Sequence, residues 1–218
     1  MKEKLNRILP VLFLVLVAIS RWPPLFNKPG FSAAYALMFC AGVYFHGGTR
    51  WWAPLGTMVI TDVILNYFYY APRGWAVWNG TTLFYQSLVY VGYIVIIVLG
   101  RRFKPKSSFV SLLGGGLLGA LMFYVITNMA SWLINPFQNP EYKFSFASLV
   151  LALIKGTNGW PDAWEFFRNT LEGGGIFTAL FVGAMKLSAA ESPLEKEAGQ
   201  RADDAEGEAA PEAEEAKA

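Results

Sequence analysis

The chain alternates between long apolar runs and short clusters of charge, proline and glycine. Six runs reach or approach the length of a membrane-spanning helix: residues 5–20, 31–46, 51–70, 82–100, 109–134 and 168–187. About 20 apolar residues cover roughly 30 Å as a helix, the thickness of a bilayer core. The breaks carry turn chemistry. Arg21-Trp22-Pro23-Pro24 ends the first run, Gly47-Gly48-Thr49-Arg50 the second, and Arg101-Arg102-Phe103-Lys104-Pro105-Lys106 the fourth. The pattern predicts an all-α membrane protein of six transmembrane helices over residues 1–188. The stretch from Phe144 to Ile154 is apolar but too short to span, and reads as a re-entrant or interfacial helix inside a long connection, residues 135–167.

The third run, WWAPLGTMVITDVILNYFYY, is expected to organise the bundle. It holds Asp62 near its middle and Asn66 one turn on. A carboxylate at that depth costs about 2.5–3.5 kcal/mol on insertion scales and must face other helices or a wet cavity. The first run follows Lys2, Lys4 and Arg7, as a signal peptide would. No small-x-small cleavage site follows it, so it reads as the first span.

Composition agrees: 54% of residues are hydrophobic, 16% aromatic and 16% charged, with a mean hydropathy of +0.34. The net charge of +2 hides an asymmetry. From Ala189 onward there are ten acidic and three basic residues, and before it fifteen basic and six acidic. The acidic tail, residues 189–218, has one large aliphatic side chain and no aromatic one, and is expected to be disordered and cytoplasmic. Basic residues flank the spans and form no patch, which argues against nucleic-acid binding. One cysteine, Cys40, and one histidine, His46, give no disulfide and no metal-ligand pattern. No nucleotide-binding or nucleophile motif is present, and no cofactor or catalytic activity is expected.

Placing the N-terminus inside puts nine basic residues on the inner segments and six on the outer ones. The expected location is a bacterial inner membrane with both termini cytoplasmic. Spans three and five then run outward and span six runs inward. Asp62 and Asn66, Thr127, Asn128, Ser131 and Trp132, and Arg168, Asn169, Thr170 and Glu172 come to similar depth in the outer half. Tyr142, Trp160 and Trp164 cap them from the long connection. Aromatic walls with a few convergent polar groups suit a small-molecule pocket. The candidate substrate-binding residues are therefore Asp62, Asn66, Asn128, Trp132, Tyr142, Arg168, Asn169 and Glu172. A purely structural reading stands beside this one: Arg168 and Glu172 neutralise each other four residues apart, and Asp62 pairs with an arginine or hydroxyl to hold helices. An intramembrane enzyme using Asp62, Glu172 or His46 is a third reading, with no nucleophile–base spacing behind it. The glycine runs 114–116 and 173–175 read as packing features, since no P-loop lysine follows them.

Several of these residues fall into a longer pattern. Phe31-Ser32, Ala36-Leu37 and Gly42-x-Tyr44-Phe45 are followed by Pro54-Leu55-x-x-Met58-x-x-Thr61-Asp62. Thr127-Asn128-x-x-x-Trp132, then Phe166-Phe167-Arg168-Asn169-Thr170 and Gly173, complete it. In this order and spacing the chain resembles a family of bacterial membrane proteins, domain of unknown function family 6580, over roughly residues 8–187. The family tends to have Asn-Phe-[Ser/Thr]-Pro where this chain has Gly30-Phe31-Ser32-Ala33, and Gly-Asp where it has Gly173-Gly174. In size and topology the family looks similar to the substrate-binding S components of energy-coupling factor transporters. That resemblance implies an S-component-like bundle with an outward pocket for a small polar or zwitterionic solute. It also implies partnership with a membrane coupling subunit and two ATPases. The Ala-x-x-x-Ala docking pattern of many S components is absent from the first helix.

Overall fold

A computed structural model describes residues 2–23, 28–136, 138–156 and 160–189. The acidic tail beyond Ala189 lies outside them. Among the described residues the fold is all-helical, with no strand. Seven α-helices follow in order: α1 (Lys2–Ser20), α2 (Ala34–Tyr44), α3 (Thr49–Leu65), α4 (Gly80–Gly100), α5 (Phe109–Ile134), α6 (Phe146–Ile154) and α7 (Ala163–Ala189). Helix α3 runs on as a π-helical turn, Asn66–Tyr70, and a 3-10 turn, Ala71–Arg73.

The bundle is built around α2, not around the third run as the sequence suggested. Every residue from Ala34 to Val43 is buried. A helix that is apolar on all faces has no solvent side and sits at the centre. α2 packs against α4, α5 and α7, with α3 and α1 completing the ring. Its small residues allow close approach. A Cβ on Gly42 would lie 2.3 Å from the Ile97 carbonyl oxygen, and one on Gly100 would lie 2.3 Å from that of Phe39. The α5–α7 contact is similar: a Cβ on Gly116 would meet Thr178 Oγ1 at 2.3 Å, and one on Gly174 would meet the Ala120 methyl at 2.6 Å. Gly115 and Gly116 of one glycine run and Gly173 and Gly174 of the other are therefore packing positions, whereas Gly114 faces open space. Aromatic pairs fill the spaces between, including Phe13 on Phe181 at 4.0 Å and Tyr93 on Phe123 at 4.8 Å.

Helix ends follow local chemistry. Asn79, Ser108 and Ser145 cap α4, α5 and α6 through their side-chain oxygens. Asn135, with φ of 49°, closes α5 in the left-handed region, and its side chain holds both the N–H and the C=O of Asn139. Ser20 Oγ accepts from Ala33 N at 3.0 Å and so ties the end of α1 to the start of α2.

Among the described residues two helices, α4 and α5, are long and apolar enough to cross a membrane. The expected second span shortens to the 11 residues of α2, about 16 Å of helix. The regular part of α3 stops at 17 residues, because the chain passes into the π turn at Asn66. The expected short helix is present as α6. The expected sixth span starts five residues early, at Ala163, where the Asp162 carbonyl accepts from Glu165 N at 2.9 Å. The Tyr124 hydroxyl on α5 fastens this region by donating to the carbonyls of Leu153 (2.5 Å) and Ala163 (3.0 Å). Tyr124→Phe strands those acceptors and is expected to destabilise the protein by about 1–3 kcal/mol. Faster amide exchange in α6 than in α4 would check it.

Candidate functional site

One end of the bundle gathers the α1–α2 loop, the end of α3, the start of α4, the end of α5, the α6 connection and the start of α7. A cavity of about 450 Å³ opens there. Tyr70, Trp75, Tyr85, Tyr142, Trp160 and Phe166 supply aromatic walls, and Thr127, Asn128 and Ser131 a polar stripe from α5. Backbone from Pro29, Gly30, Gly156, Pro161 and Ala163 closes it. Gly30 and Gly156 have φ of +77° and +78°, conformations that L side chains rarely adopt. The π turn delivers Tyr70 to the wall. Such single-turn insertions commonly mark functional positions in helices.

The rings pack against one another. Trp75 meets Tyr70 at 4.9 Å and Trp160 edge-on at 4.8 Å. The polar stripe is oriented by its own helix. Thr127 Oγ1 donates to the Phe123 carbonyl at 2.9 Å, and Asn128 Nδ2 to that of Tyr124 at 2.8 Å. A carbonyl only accepts, so this contact fixes which way the Asn128 amide is turned. Among the described residues no charged side chain lines the cavity.

Of the eight candidate residues, Asn128 and Tyr142 reach the cavity wall and six do not. Asp62 faces α1 and α4. It is ion-paired with Arg21, and its second oxygen accepts from Gln86 Nε2 (3.0 Å) and the Tyr90 hydroxyl (2.6 Å). Arg21 also donates to Thr61 Oγ1 at 2.9 Å. Both charged side chains are about 15% exposed, 16% for Arg21 and 14% for Asp62, so the pair is largely desolvated. Asn66 is half-buried at the switch from α to π geometry. Trp132 donates its indole N–H to Lys143 O and Ser148 Oγ, both at 3.1 Å, and pins the connection to α5. Arg168 and Glu172 lie on an outer face of α7, 3.8 Å apart, with Lys28 also 3.2 Å from Glu172. Asn169 is buried and donates to the Pro29 carbonyl at 2.9 Å, shaping the loop that lines the cavity. His46 is exposed. Among the described residues no group of side chains is arranged to hold a metal ion.

The sequence reading missed Tyr70, Tyr85 and Trp75 as cavity residues. Trp75 reads as an interfacial-belt residue, which its neighbour Trp78 resembles more closely at 52% exposure. The available signal is aromatic density: five of the cavity's six rings are Tyr or Trp within 20 residues of a span's outer end.

Fold and site together define an all-helical protein with two helices fit to cross a membrane and an aromatic-lined cavity at one end. The chain belongs to the family described as a family of unknown function, DUF6580, whose model matches residues 1–196. No curated protein and no solved structure matches it. None of these comparisons supports the likeness to transporter S components.

Proposed function

We propose that this chain is a multispanning membrane protein that captures a small organic solute in its end cavity. The cavity carries the reading: its volume suits a small molecule, and six rings with a few placed polar groups are what such a site needs. The membrane setting is supported by what the outer helices expose. Only 28% of the most apolar stretch of α4 and 39% of that of α5 is buried, so both helices turn mainly apolar side chains outward. α1 does so with Val11, Leu12 and Val15, and α3 with Ile60, Val63 and Ile64. A soluble monomer rarely leaves so much contiguous apolar surface in water. Arg50, Arg101, Arg102, Lys104 and Lys106 fall at the end opposite the cavity, which supports an outward-facing cavity under the positive-inside rule.

The test is native mass spectrometry of the full chain released from membranes in mild detergent. A small molecule is expected to accompany the protein and to be lost from Ser131→Trp, which fills the cavity from α5. Equal retention by both forms would place the molecule elsewhere and remove the basis of the reading. Associated subunits in the same spectrum would report coupling to a larger transport complex. A scaffold role is the second reading. It is favoured by one observation: both oxygens of Asp62 are taken by protein donors.

A further inference from the structure

From the chemistry of the wall, we infer that the solute is an organic cation of the alkylammonium or quaternary ammonium class. This rests on the reading of the cavity as a solute site and adds the sign of the ligand's charge. Six aromatic rings line the space, and an aromatic face carries the negative part of its quadrupole. A cation over such faces is attracted more strongly as water is excluded, with Trp the best partner, and Trp75 and Trp160 both contribute.

The polar stripe points the same way. Thr127 commits its hydroxyl proton to the Phe123 carbonyl, which leaves oxygen lone pairs for a ligand. Asn128 commits an amide hydrogen to Tyr124 O, while its Oδ1 takes no donor among the described residues. Thr127 and Asn128 therefore offer acceptors to a donor or a positive centre. Among the described residues no charged side chain lines the space, so an anion would find no cationic partner there. A bare metal ion would need carboxylate or imidazole ligands, and none are grouped anywhere among the described residues. Charges that flank the lining residues in the chain do not decide the matter. Glu141 and Asp162 flank them, as do Lys28, Lys143 and Lys155, and Lys28 is engaged by Glu172, which leaves two charges of each sign.

The experiment uses the full chain in lipid nanodiscs, with tryptophan fluorescence and calorimetry as readouts. The probes are choline, benzyltrimethylammonium, and 3,3-dimethyl-1-butanol, the uncharged isostere of choline. The cations are expected to bind saturably, with choline at least about tenfold tighter than its isostere, a difference of about 1.4 kcal/mol. Trp75→Leu should weaken the cations about tenfold, while Trp78→Leu, outside the cavity, should not. Isostere binding as tight as choline would overturn the cation assignment and leave the cavity reading standing. So would a neutral or anionic molecule recovered from the wild-type protein and lost from Ser131→Trp. Absence of saturable binding by any of the three probes would overturn the assignment too. If the Ser131→Trp comparison also shows no cavity-bound molecule, the solute reading falls with it.

Discussion

Asp62→Ala is expected to cost the folded protein about 3–5 kcal/mol while leaving a cavity-bound solute in place. The substitution removes the acceptor shared by Arg21, Gln86 and Tyr90. Arg21 then keeps only neutral partners, Thr61 Oγ1 at 2.9 Å and the Met58 sulfur at 3.4 Å, in a site where its side chain is 16% exposed. Removing one partner of a desolvated pair leaves an uncompensated charge, which is why the loss exceeds the net worth of the pair itself. Three segments lose their tie at once: the turn after α1, the last turn of α3 and the first half of α4. Replacing both charges, as Arg21→Met with Asp62→Leu, should recover much of the stability, because an apolar pair of similar volume carries no desolvation penalty. Unfolding in detergent followed by helical circular dichroism measures the first effect, and native mass spectrometry measures the second. Unchanged stability with loss of the solute would reverse the assignment and return Asp62 to the binding site.

This pair shows where sequence reasoning reaches and where it stops. Depth along a helix is legible, because rise per residue is fixed and charge flanks mark the ends. On that basis the sequence sets Asp62 near the middle of its span and Asn128, Trp132, Arg168 and Glu172 in the same outer half. Rotation about the helix axis is a separate matter. Successive residues turn by about 100°, so residues at one depth face different neighbours. Asn128 turns to the cavity, Asp62 to α1 and α4, and Arg168 outward. Arg21, the partner of Asp62, lies 41 residues away in a turn that apolar periodicity does not describe. The start of α7 was misplaced for another reason. Charge at Arg168 and Glu172 suggested a span boundary, whereas Pro161-Asp162 marks the helix start by capping chemistry. The central position of α2 was legible in principle: Ala34–Tyr44 holds no charged residue on any face.

Gly100→Ala is expected to destabilise the bundle by about 1–3 kcal/mol or somewhat more, and Gly42→Ala by a similar amount. The reason is backbone, not side-chain, crowding. A Cβ at Gly100 would sit 2.3 Å from the Phe39 carbonyl oxygen and 3.0 Å from the Gly42 Cα. One at Gly42 would sit 2.3 Å from the Ile97 carbonyl oxygen and 2.9 Å from the Gly100 Cα. No rotamer change relieves a contact with a helix backbone, so α2 and α4 must separate. α2 is buried on every side, and moving it off α4 presses it toward α5 and α7, which are themselves closed on each other through Gly116 and Gly174. The two glycines form one contact, so the double variant should lose less than the sum of the singles. Gly114→Ala is the matched control. Its Cβ would meet nothing within 4 Å, and the helix should gain about 0.5–1 kcal/mol from lost chain entropy. Unfolding of all four variants in one detergent separates the cases. If Gly100→Ala were as stable as Gly114→Ala, the close α2–α4 crossing, and the central place of α2 with it, would be wrong.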